Sequence, residues 1–187
     1  KGIVIVTENE DLTILHSKCY QILIQTIDQY KVGSKKELLI YLYQKNKLDL
    51  FCSYFKNYNN IIIDDKNYDT KGLITSIFQT FKIELFNLLQ LLYNINNIKE
   101  KIKSNSKIYY ELPHIYRNIL YTIRTKAFYR EKENKIISEN DILYVLKKIK
   151  PNYIIKLCGT RLKQNNYDNS NKYSKIFPIA LNYFVGN

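Results

Sequence analysis

The chain has 187 residues, 45% of them hydrophobic, and a formal net charge of +12 with no Trp and no Met. This composition excludes a disordered polymer and allows one domain, or two small ones, with a buried core. The longest apolar stretch, Leu85 to Tyr93, is interrupted by Asn87 and Gln90 and falls far short of the roughly 18 residues that span a bilayer.

The opening residues, Lys1-Gly2-Ile3-Val4-Ile5-Val6, are too short for a signal peptide and lack its small-residue cleavage site, so secretion is not expected; Lys1 in place of Met points to a trimmed N-terminus. From Leu12 to Asp28, Leu15, Cys19, Ile22, Leu23 and Ile27 recur at three and four residues, which predicts an amphipathic helix stopping near Tyr30 to Gly33. Ser34-Lys35-Lys36-Glu37 has the form of a capping box and predicts a long helix to about Tyr58, with Leu38, Leu42, Leu48, Phe51, Cys52 and Phe55 on its buried side. Asn57 to Asn60 break that helix, Ile61 to Ile63 read as a brief extended segment, and Asp69 caps a helix through Leu73, Ile77 and Phe81.

A second copy of this order follows. Phe81 to Tyr93 predicts a first helix, Asn94 to Ser106 a lysine-rich loop, and Lys107 to Glu133 a long helix carrying Ile115, Ile119, Ile123 and Ala127 on one stripe. Pro113 should shift the start of that helix or kink it. Ser138 and Asp141 form a second capping box for a short helix through Leu146, and Pro151 starts another that ends at Gly159, a left-handed C-terminal stop. A long helix flanked by two short ones leaves an apolar face uncovered. Two such copies can cover each other, so the repeat predicts an intramolecular pseudo-dimer.

The charge is uneven. Residues 1–80 set ten lysines against nine acids, whereas residues 81–187 carry +11 and all four arginines, Arg117, Arg124, Arg130 and Arg161. That asymmetry points to a polyanion, either nucleic acid or an anionic membrane surface, although the abundance of Lys, Asn, Ile and Tyr also matches the coding bias of an AT-rich genome. Cys19, Cys52 and Cys158 are odd in number and widely spaced, which fits buried thiols in a reducing compartment. Beside them only His16 and His114 occur, without zinc spacing. No Gly-rich phosphate loop and no nucleophile beside a base is present, so neither catalysis, nor a cofactor, nor a small-molecule substrate is expected. Most tyrosines fall on helical stripes and read as core and interface rather than as base-stacking platforms.

Short strings within this pattern resemble the histone fold. Tyr20-Gln21-Ile22-Leu23-Ile24-Gln25, followed by Gly33-Ser34-Lys35-Lys36, resembles the first helix and first loop of a histone 2B-type protein, and the similarity in length runs without a gap from Glu37 to Phe78. Asn97-Ile98-Lys99-Glu100-Lys101-Ile102 resembles the first loop of a 2A-type protein and Lys135-Ile136-Ile137 its second. Tyr153-Ile154-Ile155-Lys156-Leu157-Cys158-Gly159 resembles the final helix of the same type, and Lys175-Ile176-Phe177-Pro178-Ile179 its docking tail. A 2B-type unit ahead of a 2A-type unit is the order of the viral histone doublets of giant DNA viruses such as marseilleviruses.

The resemblance spans residues 12–182 and implies an all-α protein of two tandem histone folds paired as a pseudo-heterodimer. Residues 1–80 would be 2B-like, 81–159 2A-like, and 160–187 the docking tail. It implies compaction of double-stranded DNA in nucleosome-like particles with a histone 3/4-type partner or its fused doublet. The place of action would be the virion and the viral factory or nucleus of the infected host, with no membrane partner. Histones hold phosphates and the minor groove without reading bases. The implied DNA contacts are Lys35, Lys36, Lys66 and Lys71 in the first copy and Lys99, Lys101, Lys103, Lys132 and Lys135 in the second. Lys101 and Lys135 take positions where the family often has arginine, which predicts a weaker or more salt-sensitive grip. Phe177, Pro178 and Ile179 would dock the partner. Asp64 and Asp65 depart from the family's basic loop, and Ile149-Lys150-Pro151-Asn152 supplies none of its acidic patch. The alternative within the same fold is a transcription-factor subunit acting through protein contacts.

Overall fold

A computed structural model of the chain describes residues 2–6, 12–30, 33–92, 106–130, 137–164 and 175–186. These residues are mostly helical, as the all-α expectation requires, with nine α-helices and two antiparallel hairpins. They form two compact units, Lys1–Lys71 and Gly72–Asn187.

The first unit begins with strands β1 (Gly2–Val6) and β2 (Leu12–His16), paired antiparallel from Gly2↔His16 to Val6↔Leu12. The predicted helix over Leu12 to Asp28 is therefore corrected at its start. Thr13 and Ile14 are β-branched, and a partner strand rich in Val and Ile satisfies their backbone, which outweighs the helical spacing. Helix α1 (Lys18–Gln29) follows, its first turn closed by Ser17 Oγ accepting from Tyr20 N at 3.2 Å. Gly33 next comes so close to Tyr30 and Glu37 that a Cβ there would lie 2.5 Å from both side chains. Ser34 Oγ accepts from Glu37 N at 3.2 Å and starts α2 (Lys35–Gln44), while Glu37 Oε2 accepts from Tyr30 Oη at 2.7 Å.

The long helix expected from Ser34 to Tyr58 is two helices. Asn46, at φ 54°, takes the left-handed position of a Schellman stop. Asn46 N donates to Tyr43 O and Lys47 N to Leu42 O at 3.0 and 2.8 Å, and α3 (Leu48–Tyr54) begins at once. After a single 3₁₀ turn, Lys56–Tyr58, strands β3 (Asn60–Ile63) and β4 (Lys66–Asp69) form a tight hairpin. Its two central residues, Asp64 and Asp65, both have positive φ, 48° and 60°, the geometry that matches strand twist in a two-residue turn.

Helix α4 (Thr70–Leu92) starts where β4 ends and runs for 23 residues. The second predicted copy was to begin a new helix at Phe81, but nothing between Leu73 and Leu92 can break one. Leu73, Ile74, Ile77, Phe78, Phe81, Leu85, Leu89 and Leu92 make one continuous buried stripe, worth roughly 1.5–3 kcal/mol per side chain. Within the second unit the remaining helices are α5 (Ser106–Glu111), α6 (His114–Arg130), α7 (Glu139–Leu146), α8 (Pro151–Lys163) and α9 (Phe177–Val185). Pro113 divides the expected helix over Lys107 to Glu133 into α5 and α6, because it lacks an N–H and bars its predecessor from helical backbone.

Helix α4 reaches four others. Phe81 meets Phe177 of α9 edge to face with ring centroids 5.6 Å apart; Lys82 pairs with Glu139 of α7 at 2.8 Å; Glu84 binds Arg161 of α8 and Tyr116 of α6. The capping box on α7 forms as expected, with Ser138 N donating to Asp141 Oδ2 at 2.9 Å and Asp141 N donating to Ser138 Oγ at 3.3 Å. Gly159 does not stop α8. The helix continues to Lys163 with a negative φ at Gly159, since Arg161 carries the buried stripe of Ile154, Leu157 and Cys158 beyond it.

Candidate nucleic-acid interface

The structure places four of the nine expected DNA-contacting lysines, all in the first unit. Lys35 and Lys36 open α2, and the Lys35 ammonium stands 4.5 Å from the centroid of the Tyr58 ring. Tyr58 O accepts from the Thr70 hydroxyl at 2.6 Å, so the chain next to Lys35 is tied to the start of α4. Lys71 lies in the first turn of α4, but its ammonium is paired with Asp49 Oδ2 at 2.7 Å. That partner raises the Lys71 pKa and neutralises the charge a phosphate would meet. Lys66 follows the Asp64-Asp65 turn directly, so the hairpin tip carries more negative than positive charge. Lys99, Lys101, Lys103, Lys132 and Lys135 lie outside the described residues.

A basic segment that the sequence reading did not single out lies in the second unit. From Ile142 to Lys163 there is no carboxylate, while Lys147, Lys148, Lys150, Lys156 and Lys163 supply cations. Three of these lysines sit in the short link between α7 and α8, where Lys148 and Lys150 are exposed. The link is short because Pro151 occupies the first turn of α8 and fixes the helix start, with Lys150 as its N-cap residue. Two exposed tyrosines flank it, each beneath a lysine: Lys148 over Tyr144 at 5.5 Å and Lys156 over Tyr153 at 5.6 Å. The first turn of α8 has no acid, so the positive end of the helix dipole and the Lys150 ammonium both favour an anion, although Pro151 lacks an N–H and Tyr153 N donates to Lys150 O at 2.9 Å. The acids of α7 are engaged at its other end, Glu139 by Lys82 and Asp141 by Ser138. The run Lys147-Lys148-Ile149-Lys150-Pro151 was visible in the sequence, but the family pattern drew attention to the loops instead.

The expected docking residues begin a helix. Phe177 is only 3% exposed and packs on Phe81 of its own unit. Pro178 and Ile179 are half-buried in the first turn of α9.

The titratable groups of the second unit's interior are structural. Arg161 Nε donates to Glu84 Oε1 at 2.7 Å and Tyr116 Oη to Glu84 Oε2 at 3.3 Å. Burial pushes the Glu84 carboxyl above the usual carboxylate range, against a smaller opposing pull from Arg161 and Tyr116. Burial likewise raises the Tyr116 hydroxyl and the Cys158 thiol, and raises Cys52, assisted there by Asp49 and Asp69. These shifts disfavour the thiolate at both cysteines. Among the described residues no cluster of three or more His, Cys, Asp or Glu could hold a metal, and no helix is long and apolar enough to cross a membrane.

Comparison with known proteins returns nothing: no family model matches the chain, and no curated protein or solved structure is similar to it.

Proposed function

We propose that this protein binds double-stranded DNA through its phosphates, without reading base sequence. The carboxylate-free segment from Ile142 to Lys163, with three lysines gathered at the α7–α8 link, carries the reading. It concentrates exposed cations at a helix N-terminus, the combination that suits phosphate oxygens, and supplies no Asn, Gln or Arg array for base edges. The lysine-rich stretches of sequence at residues 99–103 and 132–135 add charge of the same sign.

The specific form of this proposal is compaction of DNA in nucleosome-like particles beside a histone 3/4-type partner. It rests on the resemblance of residues 12–182 to viral histone doublets. Asn46 and Pro113 stand against it, because each interrupts a helix that the histone fold needs whole, and burial of Phe177 removes one docking contact.

The test is a salt series of duplex binding followed by anisotropy. Lys147→Ala/Lys148→Ala/Lys150→Ala should weaken binding equally on unrelated sequences and flatten the slope of log K against log salt by about 2 to 3. An unchanged slope refutes the assigned surface. Reconstitution with histone 3/4-type partners, followed by nuclease digestion, decides the finer form: a protected fragment of defined length supports packaging, and uniform digestion rejects it.

A further inference from the structure

The first unit contains an open groove of about 870 Å³ whose wall includes Tyr20, Tyr54, Phe55 and Tyr58, with Ser17 and Lys56 at its polar positions. Its volume lies within the roughly 300–1,000 Å³ typical of ligand clefts. All four rings are half-buried, each keeping some surface toward solvent. They are also held in place. Tyr54 Oη and Ser17 Oγ share a hydrogen bond of 2.7 Å, and Tyr54 meets Tyr20 edge to face with centroids 5.3 Å apart. Phe51, 4% exposed, backs Phe55 and Tyr58 with centroids at 4.8 and 4.9 Å. Rings fixed before a ligand arrives cost little to order when it binds.

The charge of the groove has one sign. Among the described residues Lys56 is the only charged one on its wall, and its side chain is exposed. The Lys35 ammonium stands over the Tyr58 ring, 4.5 Å from its centroid, and adds a second cation on that side. Aromatic faces beside cations, with no carboxylate among the described residues of the wall, fit a planar ring that carries a phosphate. We propose that this groove binds unpaired nucleotides of a single strand, with bases stacked on the tyrosine and phenylalanine rings and phosphates drawn to Lys56 and Lys35. Duplex DNA cannot use it, because paired bases are already stacked on one another. The site is therefore separate from the α7–α8 link.

The experiment uses the full chain and a fluorescein-labelled dT12, compared with a 12-mer of abasic sites carrying the same phosphates and with a 12-bp duplex. The stacking energy of one or more bases predicts about tenfold tighter binding of dT12 than of the abasic strand. Tyr54→Leu keeps apolar volume and should erase that preference while leaving duplex affinity unchanged. Lys56→Ala, at an exposed position, should weaken dT12 at least as much as the abasic strand, and circular dichroism checks that both variants fold. Equal binding of dT12 and the abasic strand by the parent protein overturns the proposal without any variant. So does a proline-rich peptide that displaces dT12 at equal concentration, or free dTMP that binds as tightly as the strand. Loss of duplex binding in the α7–α8 lysine variant with the dT12 preference intact separates this site's fate from that of the duplex-binding proposal.

Discussion

Each unit contains an ion pair closed at 2.7 Å, yet the two pairs have opposite weight. Lys71–Asp49 in the first unit leaves 53% and 71% of its side chains exposed, whereas Arg161–Glu84 in the second leaves 11% and 24%. Water screens the first and pays little attention to the second, so identical geometry yields a dispensable contact in one place and a structural keystone in the other. The division follows the charge: residues 72–80 are uncharged, and the net +11 of the second half must be arranged around a core in which, among the described residues, Arg161 is the one buried cation.

Breaking the buried pair should give the largest effect. Arg161→Leu leaves the Glu84 carboxylate without its cation and is expected to cost about 3–5 kcal/mol, read from urea unfolding. The loss depends on pH. The folded state holds the Glu84 proton more tightly than the unfolded chain, so the residue's contribution is full below the ordinary carboxylate range and declines as pH rises through the raised value. Removing Arg161 raises that value further, so the deficit should be smaller near pH 4 than at neutral pH. Arg161→Leu/Glu84→Leu/Tyr116→Phe, which replaces all three polar groups, should recover most of the stability. A single variant as stable as the parent would show that the pair does not hold α4 to α8.

The first unit responds instead through its backbone. Asp65 adopts φ 60°, where a side chain is strained and glycine is not. Asp65→Gly creates the Asp-Gly pair favoured in such turns and should stabilise the β3–β4 hairpin by about 0.5–1 kcal/mol, seen as a higher thermal midpoint. A lower midpoint would mean that the Asp65 side chain contributes more than its strain removes.

What the sequence made legible was local. Ser34, Pro113 and the Ser138/Asp141 box each act within one helical turn, and each marks a helix boundary in the structure. Asn46 was equally local, but a single Asn inside an apolar stripe is the weaker form of a signal that glycine usually gives, and the stripe concealed it. The β3 strand was visible in Ile61 to Ile63, while its partner Lys66 to Asp69 is polar and short and depends on the turn for its register. Gly159 looked like a stop because its neighbours were read alone; Val185 of α9, 3.9 Å from the position of a Cβ, packs beside it instead. Arg161 and Glu84 stand 77 residues apart, and no local pattern pairs them. The tyrosine groove was hidden for the same reason, since Tyr20 on α1 meets Tyr54 only once α1 and α3 have packed.

The exposed pair supplies the smallest and sharpest test. Lys71 lies in the first turn of α4, where the helix dipole disfavours a cation, and Asp49 offsets that repulsion through a bond open to solvent. The two terms oppose each other, so Lys71→Ala should leave the thermal midpoint unchanged. Asp49→Ala removes the offset and an acid from the first turn of α3, so it should lower the midpoint slightly, and it also frees the Lys71 charge. If the first unit contributes only diffuse attraction for DNA, duplex affinity then rises about twofold at low ionic strength, and the gain disappears once salt shortens the screening length below about 8 Å. A rise of tenfold or more, persisting at high salt, would place a true phosphate contact at the start of α4. The nearly neutral unit would then grip DNA as the basic one does, and the contrast between the two units would be one of stability rather than of function.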